Sequence, residues 1–252
     1  MLRFDHAVIV VPSLARAVRD FESQGFRVVL GGSTGPVHNA LVVFADGTYL
    51  ELTTTRPTAA RPLYRALHRL GITGRVARAR SDMLGRFLPW LGAPAGPIDW
   101  CMRVDDLAST VRRLRDCGID MVDAEPFERT RPDGQVARWL LGGPRDPRLP
   151  FFIEDETPVE IRVPKVGEAS HPNGAEGVRA LSLPRGAFAE VEAMANALAP
   201  ERADGRSPGP LDNVALLPTA SAQPFALQLF GSGAPGELDT DKTFGTRIHL
   251  VR

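Results

Sequence analysis

The chain has 252 residues, 43% hydrophobic and 24% charged, with 30 basic residues against 30 acidic ones. Balanced charge without a long basic run argues against nucleic acid as a partner. No uninterrupted apolar stretch approaches the ~20 residues that a bilayer-spanning helix needs, so no membrane association is expected.

Two cysteines do not make a disulfide framework. The first residues enter a strand pattern at once, so no secretory leader is expected and the chain reads as cytoplasmic. Residues 4–11 form an apolar, β-branched run that predicts a buried strand. Pro12-Ser13 opens a helix to about Gln24, with Ser13 the expected N-cap and Gly25 the stop. Strands follow at 26–30, broken by Gly31-Gly32-Ser33, at 38–45 and, after an Asp46-Gly47 hairpin turn, at 49–53. Residues 1–55 therefore read as one β-α-β-β-β module.

Residues 56–96 are of another kind, with eight arginines (Arg56, Arg61, Arg65, Arg69, Arg75, Arg78, Arg80 and Arg86) against one acid, Asp82. Two short helices are expected there, either as a solvated excursion with arginines outward or as a lid over a cleft. Residues 97–158 repeat the first module. A strand at 99–104 leads to a helix from Asp105-Asp106 to Asp116, closed by Gly118. Strands at 121–130, 135–141 and 150–155 follow, the first two joined through Pro132-Asp133-Gly134. A constant offset of 93 pairs Val11 with Val104, Leu14 with Leu107, Val18 with Val111 and Gly25 with Gly118. Residues 159–252 read as a third, degenerate module packing on the first two. It has a strand at 177–183, a helix at 188–198, a polar loop at 200–210 and strands at 213–217, 224–230 and 246–251. The expected fold class is α+β: paired βαβββ modules forming cupped mixed sheets with helices outside, plus this third partial module.

His6 and Glu51 each interrupt an apolar strand of module one, which is costly unless they are solvated or paired. Side chains alternate along a strand, so one sheet face can be the floor of a cleft. Two such groups on that floor suit a divalent metal or a proton-transfer pair. His38 and Asn39 open the third strand, where each can bond a substrate oxygen or serve the preceding Gly35-Pro36 turn. Phe87, Trp90, Trp100, Phe151 and Phe152 supply either core or an aromatic wall. Cys101 reads as a small buried apolar residue, His171-Pro172-Asn173 as a turn, and His68 and His249 as surface or packing residues. Gly31-Gly32-Ser33-Thr34-Gly35 has no helix after it to form a phosphate site, so no nucleotide cofactor is expected.

Asp5-His6 opening a strand, Val11-Pro12-Ser13-Leu14 opening a helix, Gly25-Phe26 and Tyr49-Leu50-Glu51-Leu52 together resemble the vicinal oxygen chelate superfamily. Asn39 before a strand, Leu149-Pro150-Phe151-Phe152-Ile153-Glu154 and His171-Pro172-Asn173-Gly174-Ala175 narrow the resemblance to glyoxalase-like proteins, over about residues 3–185. The resemblance implies paired modules around a metal held by His6, Glu51 and Glu154. A fourth position falls on Trp100, or on Asp99 if the repeat offset is followed. The metal would be Mn, Fe, Ni or Zn. The implied protein is a lyase, isomerase or dioxygenase acting on a small organic molecule through chelated oxygens. Glu51 and His38 would move the proton, and Asn39, Tyr49, Trp100 and Phe152 would contact the substrate. Two alternatives stand beside it: a metal-free protein that sequesters a hydrophobic or planar compound, and a His6–Glu51 proton-transfer pair without metal. A monomer or a homodimer is expected.

Overall fold

In the computed structural model, which describes residues 2–34, 37–55, 58–72, 75, 79, 81–131, 133–164, 170–198 and 211–252, the N-terminal apolar run is strand β1 (Arg3–Val10). Helix α1 (Leu14–Ser23) follows, its first turn capped by the Ser13 hydroxyl. It ends at Gly25, whose φ of +81° suits a residue without a side chain. Strands β2 (Val29–Thr34), β3 (Val37–Val43) and β4 (Tyr49–Thr55) complete the first module. Strand β2 begins later than expected and runs through Gly31-Gly32 rather than stopping there. The reason is close approach: a Cβ on Gly31 would collide with the side chain of Asn39 on the adjacent strand.

The second module repeats the order with β5 (Gly96–Arg103), α4 (Leu107–Asp116), β6 (Met121–Thr130), β7 (Val136–Pro144) and β8 (Phe151–Asp155). Between the modules lie α2 (Arg61–Arg69), α3 (Asp82–Phe87) and a 3-10 turn over Leu88–Gly92. The Gly35-Pro36 break, Pro132 of the expected turn, the 200–210 loop and the side chain of His68 lie outside the described residues.

Strands β1 and β5 pair antiparallel and join the modules into one eight-stranded sheet of order β2-β3-β4-β1-β5-β8-β7-β6. The sheet curls until its outer strands meet, with Gly32 of β2 against Arg129 of β6. Helices α1 and α4 cover the convex face. Phe4, Ala7, Ile9, Leu50, Leu52, Trp100, Met102 and Phe152 point to that face and form the main core with Phe21 and Leu114. The concave face belongs to a separate cluster containing Val8, Cys101, Leu141, Phe151 and Ile153.

After a one-turn helix α5 (Val159–Arg162), the strands β9 (Ala175–Pro184), β10 (Ala215–Thr219), β11 (Ala226–Gly231), β12 (Gly236–Glu237) and β13 (Ile248–Val251) form a second sheet, with helix α6 (Arg185–Leu198). Its order, β10-β9-β11-β13-β12, puts β9 and β10 side by side and parallel. In the true modules the strands flanking the helix are not neighbours, so this unit is not a third copy of the same topology. It shares the main core through Val178, Leu181, Leu227 and Leu229. The His171–Gly174 turn docks it: His171 Nδ1 accepts from Arg27 N at 2.9 Å, and its Nε2–H donates to the Val43 carbonyl at 3.1 Å. Among the described residues no helix is long and apolar enough to cross a membrane.

Candidate functional site

The concave face encloses a cavity of about 180 Å³. Its walls are mainly apolar, and the polar side chains on them are His6, Asn39, Tyr49, Glu51, Arg129 and Arg162. One end is closed by the last part of the inter-module segment, with Leu84, Phe87, Leu88 and Trp90 on the cavity wall, while Leu63 of α2 and the following Leu70 are exposed. Arg86 pins this last part by a two-pronged pair with Asp99, both N–O distances 2.8 Å, and by bonds to the carbonyls of Pro144 and Leu149. Glu125 accepts from the Ser81 hydroxyl and the amides of Asp82 and Met83 at the start of α3.

A β-bulge sets up the polar end of the cavity. The β1–β5 register slips between Phe4 and His6, which leaves Asp5 as the extra residue. Phe4 and Ala7 both face the helices, so Asp5 and His6 both face the cup. Asp5 Oδ1 lies 2.7 Å from His6 Nδ1, and His6 Nε2 lies 3.6 Å from Glu51 Oε2. The His6 ring stacks on Tyr49 at 4.6 Å and meets the edge of Phe151 at 5.5 Å, which fixes its plane. Asn39 Nδ2 donates to Glu51 Oε1 at 2.8 Å.

Asp5 is completely buried, and burial alone would push its carboxyl up. The Arg162 guanidinium, with His6 and Arg103, instead holds it well below the usual carboxylate range. Arg162 bonds both oxygens of Asp5 at 3.2 and 3.1 Å, the two oxygens of Asp155 at 2.6 and 2.9 Å, and the Tyr49 hydroxyl at 2.7 Å. Arg103 binds Asp5 from the other side. Burial also raises the Tyr49 phenol well above its ordinary value, against the pull of Arg162. An ionised Asp5 accepts from His6 Nδ1–H, which turns Nε2 toward Glu51 and the cavity.

The expected site residues divide between the two faces of the sheet. His6, Asn39, Tyr49 and Glu51 come together on the cavity wall. Trp100 and Phe152 do not join them: they are 2% and 0% exposed in the helix-side core, because strand alternation gives the cup to Cys101, Phe151 and Ile153 instead. Glu154 also points away, and its Oε2 accepts from Leu107 N at 2.7 Å at the start of α4. His38 alternates with Asn39 and is not on the cavity wall. Sequence reasoning missed Asp5 as a partner of His6, and the signal was there: the apolar face shifts from Phe4 to Ala7, a spacing of three that only a bulge accommodates. Arg129 and Arg162 carried no local signal in a chain rich in arginine.

The register also decides the position matched to His6. A second slip separates Val8 from Ile9, opposite Asp99 and Pro97, and leaves Ile98 as the extra residue. Asp5-His6 and Ile98-Asp99 are thus the same bulge at the repeat offset, and Asp99 matches His6. On the fourth strands, Glu51 pairs with Val8 and Phe151 pairs with Cys101, so Phe151 matches Glu51. The four symmetric positions hold His6, Glu51, Asp99 and Phe151. Asp99 has both oxygens on Arg86, and Phe151 offers no donor. This set does not fit the metal that the resemblance implies. Asp5, His6 and Cys101 also offer ligand atoms within 4.8 Å of one another. There, however, two guanidiniums occupy the Asp5 oxygens, and burial pushes the Cys101 thiol well up.

The chain belongs to the glyoxalase-like domain family, whose model matches residues 4–200. Its architecture is the paired βαβββ arrangement of the vicinal oxygen chelate superfamily. A hypothetical protein from Staphylococcus aureus superposes with a TM-score of 0.68 at 15% identity, covering 100% of this chain and 99% of that one. Methylmalonyl-CoA epimerase from Mycobacterium tuberculosis matches at TM-score 0.39 and 19% identity, over 62% of this chain and 89% of that one. Streptomyces coelicolor methylmalonyl-CoA epimerase, in complex with 2-nitronate-propionyl-CoA, matches at 0.36 and 20%, over 61% and 95%. Among curated proteins none matches the sequence.

Proposed function

We propose that the protein moves a proton on a small organic molecule without a metal, with His6 as the base and Glu51 as the second proton-carrying group. The observation that carries this reading is the Asp5–His6–Glu51 line at the cavity floor, with N–O separations of 2.7 and 3.6 Å. The longer gap exceeds a hydrogen bond and is short enough for one reacting atom to reach both groups. Asp5 orients the ring and stabilises the imidazolium that forms when Nε2 takes a proton. The new charge then sits between two carboxylates. Among the described residues, none of the polar ones on the cavity wall is Ser, Cys or Lys, which favours proton transfer beside a carbonyl over attack by one of these nucleophiles.

The competing reading is chelation by Mn, Fe, Ni or Zn, and the proximity of Asp5, His6 and Cys101 is what favours it. Sequestration without chemistry is the third. One experiment separates them. Deuterium incorporation beside the carbonyl of a panel of 2-oxo acids and 2-hydroxy ketones is followed by NMR in D2O with EDTA present. The proposal expects exchange above background, reduced about 100-fold in H6A and E51Q. Exchange that requires added metal, or that survives H6A, overturns it.

A further inference from the structure

Arg129 is a half-buried charge with no counter-ion among the described residues. The other cavity guanidinium, Arg162, is committed to Asp5 and Asp155. Among the described residues Arg129 makes one bond, from NH2 to the Arg162 carbonyl at 2.8 Å, and its Nε is buried with no partner. Among the described residues no carboxylate lies within 4.0 Å of it. Burial draws its guanidinium below the ordinary value, and the Glu51 charge only partly restores it. On the same wall Asn39 spends its amide N–H on Glu51 and leaves Oδ1 unpartnered. Gly32 makes the room, since a Cβ there would sit 2.9 Å from Arg129 Cδ.

An unpaired cation on an apolar wall is expensive unless a ligand neutralises it. We infer that Arg129 binds a carboxylate on the substrate, so that the cavity takes a small carboxylic acid with an aromatic or branched apolar body. The body packs on Phe87, Trp90 and Phe127, and the anion is held beside the His6–Glu51 pair. A monoanion fits better than a dianion such as a phosphate monoester, because only one guanidinium is uncommitted and Glu51 repels a second negative charge. This inference names the substrate class of the cavity proposed above and rests on that reading.

Isothermal titration with 3-phenylpropanoate and 3-phenylpropanamide, with EDTA present, tests it without turnover. The acid is expected to bind about tenfold tighter than the amide. R129M erases the difference. G32A, which displaces Arg129 and keeps its charge, weakens the acid alone and supplies a second variant should R129M fold poorly. Equal affinity for acid and amide, no binding of the acid, or an acid preference that survives R129M overturns the inference. Equal affinity alongside EDTA-resistant deuterium exchange removes the role of Arg129 and leaves proton transfer standing. Acid preference without exchange does the reverse.

Discussion

His6 and Asp99 occupy the same place in the two halves of the sheet, each at a bulge on the strand that joins the modules. One faces a carboxylate across the cavity floor, and the other is locked to an arginine. The duplication thus produced one polar cavity corner and one structural anchor. Asp99 and Arg86 are 3% and 6% exposed at the side chain and hold α3 to the sheet.

Removing one partner of that pair leaves a buried charge uncompensated. R86M is expected to cost about 3 kcal/mol in urea unfolding. The double variant R86M/D99L should recover part of the loss. A single-variant cost below about 1 kcal/mol would show that the anchor is not buried as described.

Gly25 and Gly118 close matching helices with φ of +81° and +84°, but only Gly25 is crowded. A Cβ at Gly25 would come within 2.9 Å of Asn173, whereas one at Gly118 meets nothing within 4 Å. G118A should cost about 1 kcal/mol for its backbone alone. G25A should cost clearly more, about 2–3 kcal/mol, because it also pushes the docking turn away. Equal costs in denaturant titrations would contradict the docking role of His171–Gly174.

Burial lowers the His171 pKa; its bond to the Val43 carbonyl opposes this, and Arg27 adds to it. The unfolded chain then binds the proton more readily than the folded one. This contribution to stability is complete above the ordinary histidine pKa of about 6.5 and is lost as pH falls below it. Urea midpoints measured from pH 8 to pH 5 should fall less steeply in H171Q than in the wild type. Parallel profiles would remove His171 as their source.

Cys101 is buried with a raised pKa, and Cys117 is exposed. Iodoacetamide should label Cys117 alone in the native protein, and Cys101 only after unfolding. Mass spectrometry of tryptic peptides reads this out. Rapid native labelling of Cys101 would restore a thiolate at the cavity floor and with it the case for a metal there.

The duplication was legible because helix faces and stop glycines repeat along the chain, and its two modules fold as expected. Parity was harder. Tyr49, Glu51 and Asn39 obey simple alternation, but Trp100 and Phe152 were expected on the face that Cys101 and Phe151 hold. Glu154 looked like a ligand from its motif, yet it lies three positions beyond Phe151, the residue that matches Glu51. The Arg162–Asp5 and Arg129–Gly32 contacts join residues more than 90 positions apart, and no local pattern encodes them.

The state of the His6 ring is the most direct test. Nitrogen-15 NMR of histidine-labelled protein, with His6 assigned from H6A and the ring neutral, should show the Nδ1–H tautomer with a bare Nε2, unchanged by one equivalent of Zn2+. An Nε2–H tautomer, or a stoichiometric Zn2+-induced shift at His6, would contradict a metal-free base held by Asp5.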